Sequence, residues 1–252
     1  MASINKSVDV EQTTPNISTP ATKTNVYVSA GNFKNDKNEN LTIVGFGSLN
    51  PYEKDGKINE PCARDAFHKL SQIKNFLDAT EATKVGVNIQ GKDKDDQTVY
   101  MRADFDYKTG ISKAGRAFGF NKIYITLQPE KTNEANEIVQ SAQKLYATKG
   151  RNGYSFDKNC DPELIKKFNS LIKKGANFTL AATHEQTLNK YPKLQEMLEN
   201  VRGSSGNFQI DFVKEQGAVI AGFTPTDKNK SGNLGENKII ETATKKSKNI
   251  ER

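Results

Sequence analysis

Apolar positions along the chain fall into two rhythms, one of period two and one near 3.6, and they change places several times. Residues 25–33 and 41–49 read as strands separated by the turn-forming run KNDKNEN, so they predict a hairpin with a long loop. Ala63, Ala66, Phe67, Leu70, Ile73 and Leu77 then share one helical face behind the start signals Asn59 and Pro61. A second hairpin is predicted over 84–90 and 98–107, with Val85, Val87 and Ile89 alternating and the charged turn GKDKDDQ between the strands. After the loop YKTGISKAG, residues 116–127 supply a further strand.

Downstream, Ala135, Ile138, Val139, Ala142, Leu145 and Tyr146 keep a helical spacing that predicts a helix stopped by Gly150. Asp161 and Pro162 open another, with Leu164, Ile165, Phe168, Leu171 and Ile172 inward. Residues 178–182 read as a buried strand. Thr183 and Gln186 form the sequence pattern of a capping box, opening a helix through Leu188, Tyr191, Leu194, Leu198 and Val201 that Pro192 should kink or divide. Phe208, Ile210 and Phe212, the turn at Gln216 and Gly217, and residues 218–223 complete a terminal hairpin.

The fold class expected is therefore α+β, an antiparallel-rich mixed sheet with about four amphipathic helices and a disordered tail at each end. Residues 1–24 and 224–252 are polar, without periodicity, and read as the tails, the second ending in Lys245, Lys246 and Lys248. Residues 25–130 form a β-rich half and 131–223 an α/β half, and the two could share one domain.

Charge and chemistry narrow the function classes. Lys and Arg total 37 against 30 Asp and Glu, a formal charge of +7 that favours anionic partners such as nucleic acid. No long apolar run suggests a membrane span, and two cysteines, Cys62 and Cys160, suit a reducing, cytoplasmic setting. No set of His and Cys ligands with metal spacing is present, so neither a metal nor another cofactor is expected. His68 and His184 have no partner in the sequence pattern, and the aspartates of GKDKDDQ read as a solvated turn. The Gly-x-Gly of IVGFGSLNP, which resembles the substrate turn of γ-glutamyl cyclotransferases over GFGSL, reads as a strand exit.

One stretch groups charge with rings. On a strand, Arg116, Phe118, Phe120, Lys122 and Tyr124 share a face, with Lys113 just before them, so aromatic platforms would lie beside cations. Bases stack on such rings while cations hold phosphates. The alternative is that Phe118, Phe120 and Tyr124 turn into the core while the cations reach its edge. Arg116, Ala117, Phe118, Gly119 and Phe120 also resemble the RNP1 element of the RNA-recognition motif, with Ala117 in place of its glycine. The run 106–113 is similar to that family's preceding loop, and Val26, Tyr27 and Val28 to its RNP2 strand. Asn121 at an apolar position, the inserted AGRA and an extra hairpin between the two elements depart from the pattern.

The leading expectation is a nucleic-acid-associated binding protein, for single strands or backbone without strong sequence preference. A protein-binding accessory factor of a virus or mobile element is the alternative, and an enzyme with an unrecognised site the third.

Overall fold

The structure is a computed structural model and describes residues 23–213 and 216–226. In chain order its elements are β1 (Lys23–Lys34), β2 (Asn40–Leu49), β3 (Tyr52–Lys54), β4 (Lys57–Asn59), α1 (Ala63–Ala79), β5 (Val87–Lys92), β6 (Thr98–Ile111) and β7 (Ala117–Gln128). There follow β8 (Lys131–Thr132), β9 (Ile138–Gln140), β10 (Gln143–Gly150), β11 (Gly153–Phe156), α2 (Pro162–Ile172), β12 (Ala176–Leu180), α3 (Glu185–Leu188), α4 (Pro192–Val201), β13 (Ser205–Val213) and β14 (Gly217–Pro225). The fold is α+β, as expected. Of the expected tails, residues 1–22 and 227–252 lie outside the described residues, while Lys23 and Thr24 begin β1 and Thr224 and Pro225 end β14.

Ten strands make one sheet in the order β11-β10-β7-β6-β5-β12-β2-β1-β13-β14, so strands from both halves of the sequence interleave. All its named strand pairs are antiparallel. Helix α1 packs against β11 and also against β14, the two outermost strands. Laid flat, those strands would be about 43 Å apart at ~4.8 Å per spacing. A 17-residue helix is only about 25 Å long. The sheet must therefore curl around α1.

The alternation along each strand decides what the curl encloses. Val26 and Val28, Val44 and Phe46, Val87 and Ile89, Met101 and Ala103, Ile123 and Ile125, and Leu145 and Ala147 are all buried on the inner side. They meet Ala66, Phe67, Leu70, Ile73, Phe76 and Leu77 of α1. Phe76 sits at the centre, 5.6 Å from the Phe46 ring and 5.4 Å from that of Phe208.

Both ends of α1 are tied down. The Cys62 N–H donates to Asp65 Oδ2 at 2.9 Å, completing a reciprocal cap, and buried Thr80 donates to the Phe76 carbonyl at 2.9 Å. For α2 the anticipated Asp161–Pro162 start is present, with Asp161 accepting from the Glu163 N–H. The last expected helix is divided at Pro192 into α3 and α4, and its first cap residue is His184 rather than Thr183.

The helix expected over 135–146 is not formed; strands β9 and β10 take its place. Asn133 Oδ1 accepts from the Ala135 and Glu137 N–H groups, and Asn136 adopts φ 61°, which closes a tight turn where a helix would have started. Beyond it Leu145 and Ala147 point inward and Tyr146 outward, with β10 hydrogen-bonded to β7. The apolar spacing was ambiguous because Ala135 is exposed and Ile138 and Val139 are 60% and 63% exposed, so three of its six positions do not report burial.

No helix among the described residues is long and apolar enough to cross a membrane.

If α1 is the core around which the sheet closes, Phe76→Ala costs about 3–5 kcal/mol in urea unfolding, whereas Phe118→Ala, at an exposed ring, costs under about 1 kcal/mol. Equal losses at the two positions would contradict this architecture.

Candidate nucleic-acid interface

Strands β6 and β7 are longer than their neighbours. Strand β5 accompanies β6 only between Thr98 and Ala103, and β10 accompanies β7 only between Lys122 and Gln128. Residues 107–111 and 117–121 consequently pair with each other alone, as a two-stranded ribbon. Its tip is the turn 112–116. There the Ser112 N–H donates to the Arg116 carbonyl at 2.8 Å, the Arg116 N–H donates to Ser112 Oγ at 3.0 Å, and Gly115 supplies the left-handed φ of 72°.

The strand places Ile123, Ile125 and Leu127 in the core, which puts Phe118, Phe120, Lys122 and Tyr124 on the opposite, outer face. The core-facing alternative for the rings is therefore not what is observed. Phe118 is 46% exposed, and its ring runs nearly parallel to that of Phe120, at 12° with centroids 5.9 Å apart. Opposite it across the ribbon lies Gly110, where a Cβ would come within 2.7 Å of the Phe118 ring, so the absent side chain is what lets the ring lie down. The same device recurs on the reverse face, where Tyr107 covers Gly119.

The six residues marked by the sequence divide into two groups. Lys113 and Arg116, at the tip, form no ion pair among the described residues, and with Phe118 and Phe120 they make up the free end. Lys122 and Tyr124 belong to a cluster at the root. Lys122 Nζ lies 2.8 Å from Asp157 Oδ2 and about equally over the Tyr146 and Tyr124 rings, at 5.5 and 6.0 Å. Those rings meet edge to face at 5.4 Å, and Thr148 Oγ1 donates to the other Asp157 oxygen at 2.5 Å. Lys108 is likewise held, 2.6 Å from Asp106 Oδ2.

The electrostatics agree with this division. The Asp157 hydrogen bond raises the Lys122 pKa. Burial opposes ionisation of Asp157, but the hydrogen bonds from Lys122 and Thr148 prevail and lower its pKa. Lys122 is thus already neutralised within the protein, which leaves Lys113 and Arg116 as the nearby cations available to an external anion.

Tyr146, Thr148 and Asp157 were not anticipated from the sequence. The period-two pair Leu145 and Ala147 could have marked Tyr146 as outward-facing, whereas nothing local to Asp157 signals its partner 35 positions away. Of the other titratable groups, Cys62 Sγ donates to Asp65 Oδ2 at 3.2 Å, and the Cys62 N–H above all, with smaller contributions from its thiol, Arg64 and His68, holds the Asp65 pKa below its usual value. His68 also lies 3.3 Å from Gln72 in the same helix, and Cys160 contacts the Tyr146 backbone. Gly47, in the Gly-x-Gly run, has φ 76° near the end of β2. Among the described residues no three His, Cys, Asp or Glu side chains are placed to hold a metal ion.

Comparison of the chain with known protein families, with curated proteins and with solved structures returned no match.

Because the Asp157 pKa is lower folded than unfolded, its contribution to stability is present above the unfolded value and is lost as pH falls through the folded one. In an NMR titration Asp157 should ionise below the ordinary aspartate range and move upward in Lys122→Gln. An unchanged value in the variant would show that Lys122 does not hold it.

Proposed function

We propose that the chain binds single-stranded nucleic acid at the free end of the β6–β7 ribbon, without strong sequence preference. Bases stack on Phe118 and Phe120, and Lys113 and Arg116 neutralise phosphates. The observation that carries this reading is the conjunction of two near-parallel rings on an open face with two cations lacking ion pairs. Every base has a flat face, so stacking grips a strand whatever its sequence, at about 1–3 kcal/mol per base. The formal charge of +7 adds an attraction that does not depend on sequence.

A second reading, a protein-binding accessory factor, draws on a different observation. The two small hairpins expose apolar side chains, Tyr52 and Ile58 on one and Ile138 and Val139 on the other, at 60–73%. Nuclease-resistant capture of one stoichiometric protein partner would favour it.

Fluorescence anisotropy with a labelled oligothymidine at increasing salt tests the first reading. Affinity should fall steeply as salt rises, and Lys113→Gln and Arg116→Gln should each reduce the logarithmic salt slope by about 0.7. Phe118→Ala should weaken binding by about 1–3 kcal/mol while leaving the slope unchanged. No measurable binding at low salt would overturn the proposal.

A further inference from the structure

The reverse face of the same ribbon is also built for contact. Tyr107 and Asn121 oppose each other in register and so share that face, away from Phe118 and Phe120. Tyr107 is 61% exposed. Beneath it lies a cleft of about 440 Å³ between the ribbon and the C-terminal half of α1, whose lining includes Lys74, Asp78, Lys84, Asp106, Tyr107 and Asn121.

Both acids in this cleft are already occupied. Asp78 pairs with Lys74 at 2.6 Å and Asp106 with Lys108 at 2.6 Å. Lys84 is exposed and forms no ion pair among the described residues, although after the Lys108 hydrogen bond its charge also helps to lower the Asp106 pKa. A ring to stack on, an amide to meet a base edge and an unpaired cation for a phosphate therefore stand together, the same set of chemistries a nucleotide unit presents.

We infer that the cleft takes a second nucleic-acid strand, so that the ribbon acts as a wedge seated where a duplex opens into two single strands. This rests on the single-strand reading above. Side chains on the two faces of a ribbon point in opposite directions, so a short strand lying along Phe118 and Phe120 cannot also stack on Tyr107. A ligand that satisfies both faces presents bases on both sides of the ribbon. A fork does so, with one arm on each face and the junction at the tip, next to Lys113 and Arg116.

The test compares a labelled oligothymidine with a fork carrying oligothymidine arms, on the full chain. The fork should bind about tenfold more tightly, a factor within the range of one added base stack. Tyr107→Ala and Lys84→Gln should each reduce that preference while leaving oligothymidine affinity unchanged, and Tyr107→Phe, which keeps the ring, should retain it. Circular dichroism confirms that each variant is folded. Equal affinity of the wild-type chain for both probes would overturn the wedge while sparing the single-strand site. A Tyr107→Ala loss of equal size on both probes would also overturn it, because one strand would then be wrapping the ribbon. Failure to bind either probe removes both readings.

Discussion

One helix can meet both outermost strands of a ten-stranded sheet only if the sheet closes on it, and this closure, to which α2 and α4 add further cover, is the constraint on which the other features depend. Phe76 ties α1 to one end of the sheet through Phe46 of β2 and Phe208 of β13, and Phe67 ties it to the other through Phe156 of β11, with ring centroids 4.9 Å apart. Once the inner face is filled, the helices that pack there leave the outer residues of β6 and β7 to solvent. The period-two alternation then becomes a functional division, with aliphatic side chains such as Ile123 and Ile125 serving the core and rings and cations meeting solvent.

The ribbon follows from a mismatch of lengths. Strands β6 and β7 run on after β5 and β10 have stopped, so their last residues have neither a neighbouring strand nor a helix to pack on. Large side chains there lie over glycines of the other strand, Phe118 over Gly110 and Tyr107 over Gly119, and Phe118 also stacks on Phe120. The root needs its own support, which the Lys122–Asp157–Thr148 network supplies together with the Tyr124 and Tyr146 rings. In this arrangement the root is electrostatically satisfied, while Lys113 and Arg116 at the tip form no ion pair among the described residues.

The parts of this legible in the sequence are those set by local rules. Helix α1 carried its own periodicity, although its cap is Cys62 with Asp65 rather than the expected signals Asn59 and Pro61, and α2 carried its Asp161–Pro162 start. The shared face of Phe118, Phe120, Lys122 and Tyr124 followed from strand alternation alone. Residues 135–146 misled because six apolar positions fitted a helix while Asn133 and Asn136 specified a turn and β7 offered a strand partner. The sequence could say that the four share a face but not which face, since that depends on the curl of the sheet. It also grouped Lys122 with Lys113 and Arg116, because the residue that neutralises it, Asp157, lies beyond two further strands. Which face is open and which cations are unpaired are both properties of long-range contacts.

NMR chemical-shift mapping with an oligothymidine shows whether the free end of the ribbon is the proposed contact surface for nucleic acid. Saturable shifts are expected at the Phe118 and Phe120 rings and at the Lys113 and Arg116 amides, with the buried Ile123 and Ile125 methyl groups unmoved. Shifts confined to the small exposed hairpins, or shifts spread evenly over the surface, would contradict it.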